Sequence, residues 1–160
     1  MTGNQMITTT QLEEVLQRQL AGTARFLVSA EVRPGGKAVV EVDREEGPIT
    51  LDELTAINKG LQAELGEALD DVELQVGSPG LGRPFKVAQQ FDKHLGKEVD
   101  VLLADGGSLK GVLEARDTAG ITLRVLLPSN VKGRAAKLSK ESTVIPFTGI
   151  KAVQASIKLN

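Results

Sequence analysis

The first half of the chain alternates apolar and polar residues in a way that predicts one helix followed by a β-hairpin. Apolar residues recur at helical spacing over residues 12–20, behind a capping-box pattern formed by Thr10 and Glu13. Residues 26–32 and 38–42 alternate between apolar and polar on either side of a Pro-Gly-Gly turn. This pattern is typical of two antiparallel strands that bury one face.

A second helix and a third strand follow the predicted hairpin. Thr50 and Glu53 form another capping box, and the leucines and isoleucine of residues 51–65 fall on one stripe, which we expect to lie in the core. Residues 72–76 alternate again. The sequence therefore predicts an α+β N-terminal domain in the order α-β-β-α-β.

The second half reads mainly as short strands. A helix is predicted for residues 87–95, and apolar alternation then recurs in five segments separated by turns: residues 99–103, 109–115, 121–125, 144–147 and 153–157. Five short strands of this kind can close on themselves. We therefore expect an all-β small barrel after the α+β domain.

The loop over residues 77–84 joins the two predicted halves and is rich in glycine and proline. Its glycine spacing approaches a phosphate-binding P-loop, but Arg83 and Pro84 occupy the positions of the required lysine and hydroxyl. Dinucleotide-binding and esterase motifs fail because Phe85 and Val76 stand where glycine is needed. The G-x-x-G pattern at residues 77–80 matches an RNA-binding KH loop only in letters, since that loop joins two helices.

This loop reads Ser78, Pro79, Gly80, Leu81, Gly82, Arg83 and Pro84, and so resembles the Ser-Pro-Gly-Leu-x-Arg-Pro signature of the ribosome maturation factor RimP family. A second segment, residues 40–52, resembles the family's strand ending in an aspartate, here Asp43, followed by a glycine turn and a Thr-Leu-Asp helix start. The resemblance extends over about residues 12–157.

The resemblance implies an Sm-like, SH3-type barrel at residues 85–160, after an N-terminal domain at residues 1–84 whose end is the signature loop. It implies a non-enzymatic factor required for assembly of the small ribosomal subunit. Such a factor would act as a monomer that binds the immature subunit and a basic ribosomal protein. The partner-binding residues implied are Asp43, Ser78, Pro79, Gly80, Leu81, Arg83 and Pro84.

Charge divides the chain more sharply than the formal net charge of −2 suggests. Residues 1–76 hold six Lys and Arg against fourteen Asp and Glu, a charge of −8, whereas the remainder holds thirteen against seven, a charge of +6. We expect the acidic half to suit a basic protein and the basic half to suit phosphate or an acidic surface.

The amino-acid composition limits the kinds of functional site that the chain can contain. The chain has no cysteine and one histidine, so we expect no metal site, no thiolate chemistry and no cofactor. His94 has no neighbouring nucleophile and is expected to be a solvated helix residue, which leaves no catalytic residue to name. Four phenylalanines without tryptophan or tyrosine favour core packing over base stacking. Without a membrane span or secretory signal, we expect a cytoplasmic location.

A basic loop is predicted at residues 127–142, where Lys132, Arg134, Lys137 and Lys140 precede the first acid, Glu141. These cations are candidates for binding ribosomal RNA phosphates, while the alternative is a solvated insertion without function. Direct RNA contact also leaves a second function open, that of a free-standing RNA-binding regulatory protein.

Overall fold

The computed structural model describes residues 7–80, 82–127 and 137–156, and these form an α/β unit followed by a β unit. The chain divides into two compact units, Met1–Pro79 and Gly80–Asn160. The division falls inside the loop that the sequence marks as a connector.

The first unit contains α1 (Thr9–Leu20), β1 (Arg25–Arg33), β2 (Lys37–Arg44), α2 (Leu51–Leu65), a short 3-10 turn (Gly66–Leu69) and β3 (Glu73–Gly77). The strands form one sheet in the order β1-β2-β3. β1 and β2 are antiparallel, whereas β2 and β3 are parallel and are connected through α2. The sheet and both helices share one apolar cluster, whose fully buried members include Leu12, Leu16, Val40 and Leu61.

The start of α1 differs from the sequence prediction. Its N-cap is Thr8, whose hydroxyl accepts a hydrogen bond from the Gln11 amide at 3.1 Å, while the Gln11 side chain accepts one from the Thr8 amide at 2.9 Å. The predicted box of Thr10 and Glu13 is therefore wrong. Thr8 and Gln11 satisfy the same residue pattern two positions earlier, and the helix gains part of a turn.

Strand β1 does not alternate regularly from Phe26 to Val32 as predicted. Its pairing with β2 shifts between Leu27 and Ser29, so one additional residue is inserted there. Leu27, Ala30 and Val32 consequently pack on the common cluster, although their spacing is three and then two. A β-bulge of this kind moves the residues before it to the opposite face, and simple alternation does not reveal it.

The predicted stripe of α2 is only partly buried. Thr50 and Glu53 form the capping box that the sequence predicts, with Thr50 as the N-cap. Ile57 and Leu61 are buried, but Leu51 is 78% exposed. Leu51 is the first residue of the helix, one turn before the helix reaches the core, and its expected core position is wrong.

The second unit contains a short helix α3 (Ala88–Lys93) and strands β4 (Glu98–Leu103), β5 (Ser108–Arg116), β6 (Gly120–Leu127), β7 (Lys137–Leu138), β8 (Thr143–Pro146) and β9 (Ile150–Ala155). The sheet runs β9-β4-β5-β6, with both β7 and β8 pairing with β6. β8 ends at Pro146, and Phe147 begins a 3-10 turn instead of extending the strand as predicted. The core of this unit is centred on Val99, Leu113, Ile121 and Leu123.

Three phenylalanines pack against the second core. Phe85 and Phe91 meet edge to face with ring centroids 5.1 Å apart, and Phe91 meets Phe147 in the same way at 5.7 Å. Phe26 is buried in the first unit. The expectation that phenylalanine serves packing in this chain is confirmed.

Candidate partner-binding site

Two segments that carry the sequence signatures follow neighbouring parallel strands, at the carboxyl ends of β2 and β3. β2 and β3 are in register with Glu41 opposite Gly77, so Asp43 and Ser78 both lie just beyond the paired region. The carboxyl ends of adjacent parallel strands are a common place for binding residues, because the connections there project from a rigid sheet. The structure thus brings together Asp43, Ser78 and Pro79.

A cluster of ion pairs stabilises this end of the sheet. The sequence analysis did not predict it. Arg25 and Arg44 are directly opposite each other at the open end of the hairpin. Glu53 lies between them, with its Oε2 atom 3.2 Å from Arg25 Nη1 and 3.7 Å from Arg44 Nε. Like charges in opposed positions repel, so Glu53 stabilises both. The hairpin register, rather than residue spacing, is the signal that places the two arginines together.

The pKa of Glu53 reflects these contacts. Partial burial alone raises the pKa of this carboxyl group, but the Thr50 amide, the Arg25 guanidinium, the Thr50 hydroxyl and the charge of Arg44 together lower it below its usual value. Glu53 therefore stays ionised while it caps α2 and joins the first turn of that helix to the ends of β1 and β2.

The rest of the signature loop belongs to the second unit. Gly82 has φ of 74°, in the left-handed region that favours glycine, and Arg83 and Pro84 are exposed. Immediately afterwards the Phe85 amide donates a hydrogen bond to the Val153 carbonyl at 2.7 Å. The loop is thus anchored one residue after Pro84, which leaves Arg83 at the surface on a fixed support. Gly80 is exposed, and Leu81 lies outside the described residues.

Two of the four candidate RNA-binding cations lie in the described part of the second unit. Lys137 is in β7 and Lys140 follows it, and both are exposed. Lys132 and Arg134 lie outside the described residues, as does most of the predicted loop at residues 127–142.

A missed residue, Arg124 on β6, organises the segment that contains Lys140. Its guanidinium donates hydrogen bonds to the Ser139 and Lys140 carbonyls at 3.0 and 3.1 Å, and to Glu114 at 3.0 Å. Ser142 also donates a hydrogen bond to Glu114. These bonds from Ser142 and Arg124 lower the pKa of the Glu114 carboxyl group. The contacts fix the backbone on which Lys140 is presented.

His94 is not the solvated helix residue that the sequence predicts. It follows α3 as the helix C-cap, its Nδ1 lies 2.7 Å from the Gln90 carbonyl, and its ring lies 4.7 Å from that of Phe85. The helix is shorter than predicted, so this position turns toward the aromatic group. His94 thus supports Phe85, the anchor of the signature loop.

Among the described residues, no group of three or more histidine, cysteine, aspartate or glutamate side chains is arranged to hold a metal ion. The helices of the same residues are too short or too polar to cross a membrane.

The fold defines a protein of two units, α/β and then β, and the boundary between them along the chain falls within the signature loop. No model of a known protein family matches the chain. It is similar to the ribosome maturation factor RimP of Porphyromonas gingivalis in two strains, with 33% and 32% identity over 86% of this chain and 89% of the relative. The protein of the same name from Christiangramia forsetii is 23% identical over 84% of this chain and 86% of its own length.

Identity above 30% over most of both chains shows the family. This chain belongs to the ribosome maturation factor RimP family.

Proposed function

We propose that this protein is a non-enzymatic maturation factor for the small ribosomal subunit, which acts in the cytoplasm by binding the immature subunit together with a basic ribosomal protein. The observation that carries the proposal is the 33% identity to a ribosome maturation factor over 86% of the chain. The two units would act as separate domains within residues 1–84 and 85–160.

The charges of the two units support a division of partners. The acid-rich first unit suits a basic protein, because complementary potentials favour encounter and suppress association with RNA. The base-rich second unit, with Lys137 and Lys140 exposed, suits the phosphates of ribosomal RNA. We propose Lys132 and Arg134 as further phosphate-binding residues on the same segment.

We propose that the signature residues anchor the protein on the immature subunit. Three of them would act at the carboxyl ends of β2 and β3, namely Asp43, Ser78 and Pro79. The other four would act at the start of the second unit, namely Gly80, Leu81, Arg83 and Pro84. The fixed backbone at Phe85 supports this role, because an arginine held on an ordered support loses less entropy on binding.

We further propose that the second unit closes as an Sm-like, SH3-type barrel. Its strand order β9-β4-β5-β6-β8 needs only pairing between β8 and β9 to close, and a 3-10 turn of three residues connects those two strands. Closure would remove the strand edges at both ends of this sheet.

Binding without catalysis predicts that the purified protein does not turn over ATP, GTP or a model ester. Turnover by the wild type that disappears on Ser78→Ala substitution would contradict the proposal, because Ser78 is the serine of the signature loop.

Depletion of the protein in its own cells tests the proposed function. We expect the ratio of mature small to large ribosomal subunits to fall and to recover when the gene is restored. An unchanged ratio, with the protein bound instead to free RNA, would overturn the proposal in favour of an RNA-binding regulator.

A further inference from the structure

The outer side of β3 presents unpaired backbone groups. The Glu73 amide donates a hydrogen bond to the Gly36 carbonyl at 2.7 Å, and residues 73–77 pair with β2 on that side. Alternate residues of a strand direct their amide and carbonyl groups to opposite sides, so those of Leu74 and Val76 point away from β2. No strand of the described residues pairs with this side. Such an edge can accept another strand.

The opposite edge of the same sheet is modified against pairing. β1 contains the bulge between Leu27 and Ser29, which disturbs its ladder. In addition, the Val32 amide donates a hydrogen bond to the Thr9 hydroxyl of α1 at 2.9 Å. Bulges and covering contacts are devices that block edge pairing. β3 has neither device, so the two edges of this sheet are not equivalent.

A recess with both apolar and polar lining residues lies beside the open edge. It has a volume of about 260 Å³ and is lined by Leu51, Leu54, Thr55, Asn58 and Lys59 of α2 and by Val76 of β3. Leu51, at the start of α2, is the most exposed large hydrophobic residue of the described chain. A strand added to β3 would direct every second side chain to the helix side of the sheet. An apolar side chain there would enter this recess.

The surroundings of the edge have a net negative charge. Residues 59–80 contain five carboxylates and one cation, Lys59, which lines the recess. One of them, Glu64, is paired with Arg18, whereas Asp70, Asp71 and Glu73 are exposed in the turn before β3 and at its first residue. Like charges disfavour pairing of two copies along this edge, and they also repel a phosphate backbone. The same charges attract a segment rich in lysine or arginine.

We infer that the outer edge of β3 is a docking site for an extended segment of a basic protein, which would add as a fourth strand. Its side chains would alternate, with apolar residues in the recess beside Leu51 and cationic residues near Glu73 on the other face. The nature of this partner rests on the proposed function, since a ribosomal protein supplies basic extended segments. The availability of the edge rests on the geometry alone.

The test uses the full-length protein and a capped synthetic peptide of alternating lysine and valine. We expect saturable changes in the amide resonances of Leu74 and Val76 on titration, while those of β1 stay unchanged. Two further peptides carry N-methyl groups on either the lysine or the valine amides. Because only one set of amides faces β3, one peptide should bind at least about tenfold more weakly and the other nearly normally.

Two variants with matched controls locate the contacts. Leu51→Ala should weaken peptide binding about tenfold, because Leu51 is one of the three apolar residues that line the recess. Leu95→Ala, at an exposed leucine of the second unit, should not change peptide binding. Asp71→Asn combined with Glu73→Gln should weaken binding about threefold. The control pair Glu13→Gln with Glu14→Gln removes two exposed charges of α1 and should leave binding within experimental error.

Several results would overturn the inference. These are the absence of changes at Leu74 and Val76, equal binding of a glutamate and valine peptide, and equal effects of the two methylation patterns. Concentration-dependent self-association through β3, or the same changes with an oligouridine, would assign the edge to another occupant and reject the proposal.

If the peptide does not bind while depletion of the protein still lowers the subunit ratio, the docking site alone is rejected. If the peptide binds but the ratio is unchanged, the proposed function is rejected.

Discussion

The first unit and the second unit differ in how they expose their backbone and their charge. The first has a net excess of carboxylates, a three-stranded sheet and an open edge at β3. The second has a net excess of cations and a sheet whose ladders run from β9 to β8. One short chain thus carries opposite net charges on two separate hydrophobic cores. Each core can then be adapted to its own kind of partner.

The largest expected effect concerns the cations of the second unit. Changing Lys132, Arg134, Lys137 and Lys140 together to alanine should reduce the logarithmic salt slope of small-subunit binding by roughly 3–4 units, because each phosphate contact releases a counterion. Binding measured at several salt concentrations checks this. The control variant replaces Lys86, Lys93, Lys97 and Lys151, which removes the same charge elsewhere. Equal slopes for the wild type and the first variant would mean that those four cations do not contact phosphate.

A core substitution tests whether the two units are separate. Leu61 is fully buried in the first core, so Leu61→Ala should destabilise that unit by about 3 kcal/mol. The amide spectrum of the second unit should stay unchanged while the destabilised first unit unfolds. The fragments 1–80 and 86–160 should also fold when expressed alone. Fragments that fold only when mixed would show one shared core and remove the basis of the comparison.

Arg83→Ala should weaken small-subunit binding by about 2 kcal/mol and should harm binding more than folding, because an arginine anchor is lost from an exposed loop. Affinity and thermal melting, measured on the same preparation, check this. Arg33→Ala is a suitable control, since Arg33 is an exposed arginine of the first unit paired with Glu31. Normal affinity with a lowered melting temperature would make Arg83 a structural residue.

The smallest effect concerns acid stability of the second unit. Hydrogen bonds from Ser142 and Arg124 lower the pKa of Glu114 in the folded protein below its ordinary value of 4.5. The ionised group thus stabilises the fold above about pH 4.5, and this contribution is lost as the pH falls through the lower, folded-state pKa. Glu114→Gln should lower the melting temperature at pH 6, and the difference should vanish toward pH 3. A difference that is constant over this range would contradict the role of the charge.

Much of the first unit followed from its sequence, because each local signal there agrees with the next. The Thr50 and Glu53 box, the Pro-Gly-Gly turn and the apolar periods all specify the same elements. The bulge in β1 was missed because it depends on pairing with β2 and not on residue type. Leu51 was misplaced because periodicity gives the direction of a helix face but not where the core beneath it ends.

The candidate site was only partly accessible to sequence reasoning. The signature loop was recognised from its sequence motif. In the structure, the parallel register of β2 and β3 places Asp43 beside Ser78. The Glu53 cluster and the Arg124 contacts join residues distant in sequence, so no local spacing reveals them. The same is true of the edge of β3, which becomes visible only once the strand order is known.

The proposed function requires that the protein bind an immature small ribosomal subunit. Its most direct test is the sedimentation of the tagged full-length protein, expressed at its natural level, through a gradient that separates precursor subunits, mature subunits and assembled ribosomes. We predict that the protein travels with precursor small subunits and is depleted from assembled ribosomes. Recovery of the protein in the unbound fractions alone, or equally across all ribosomal fractions, would contradict it.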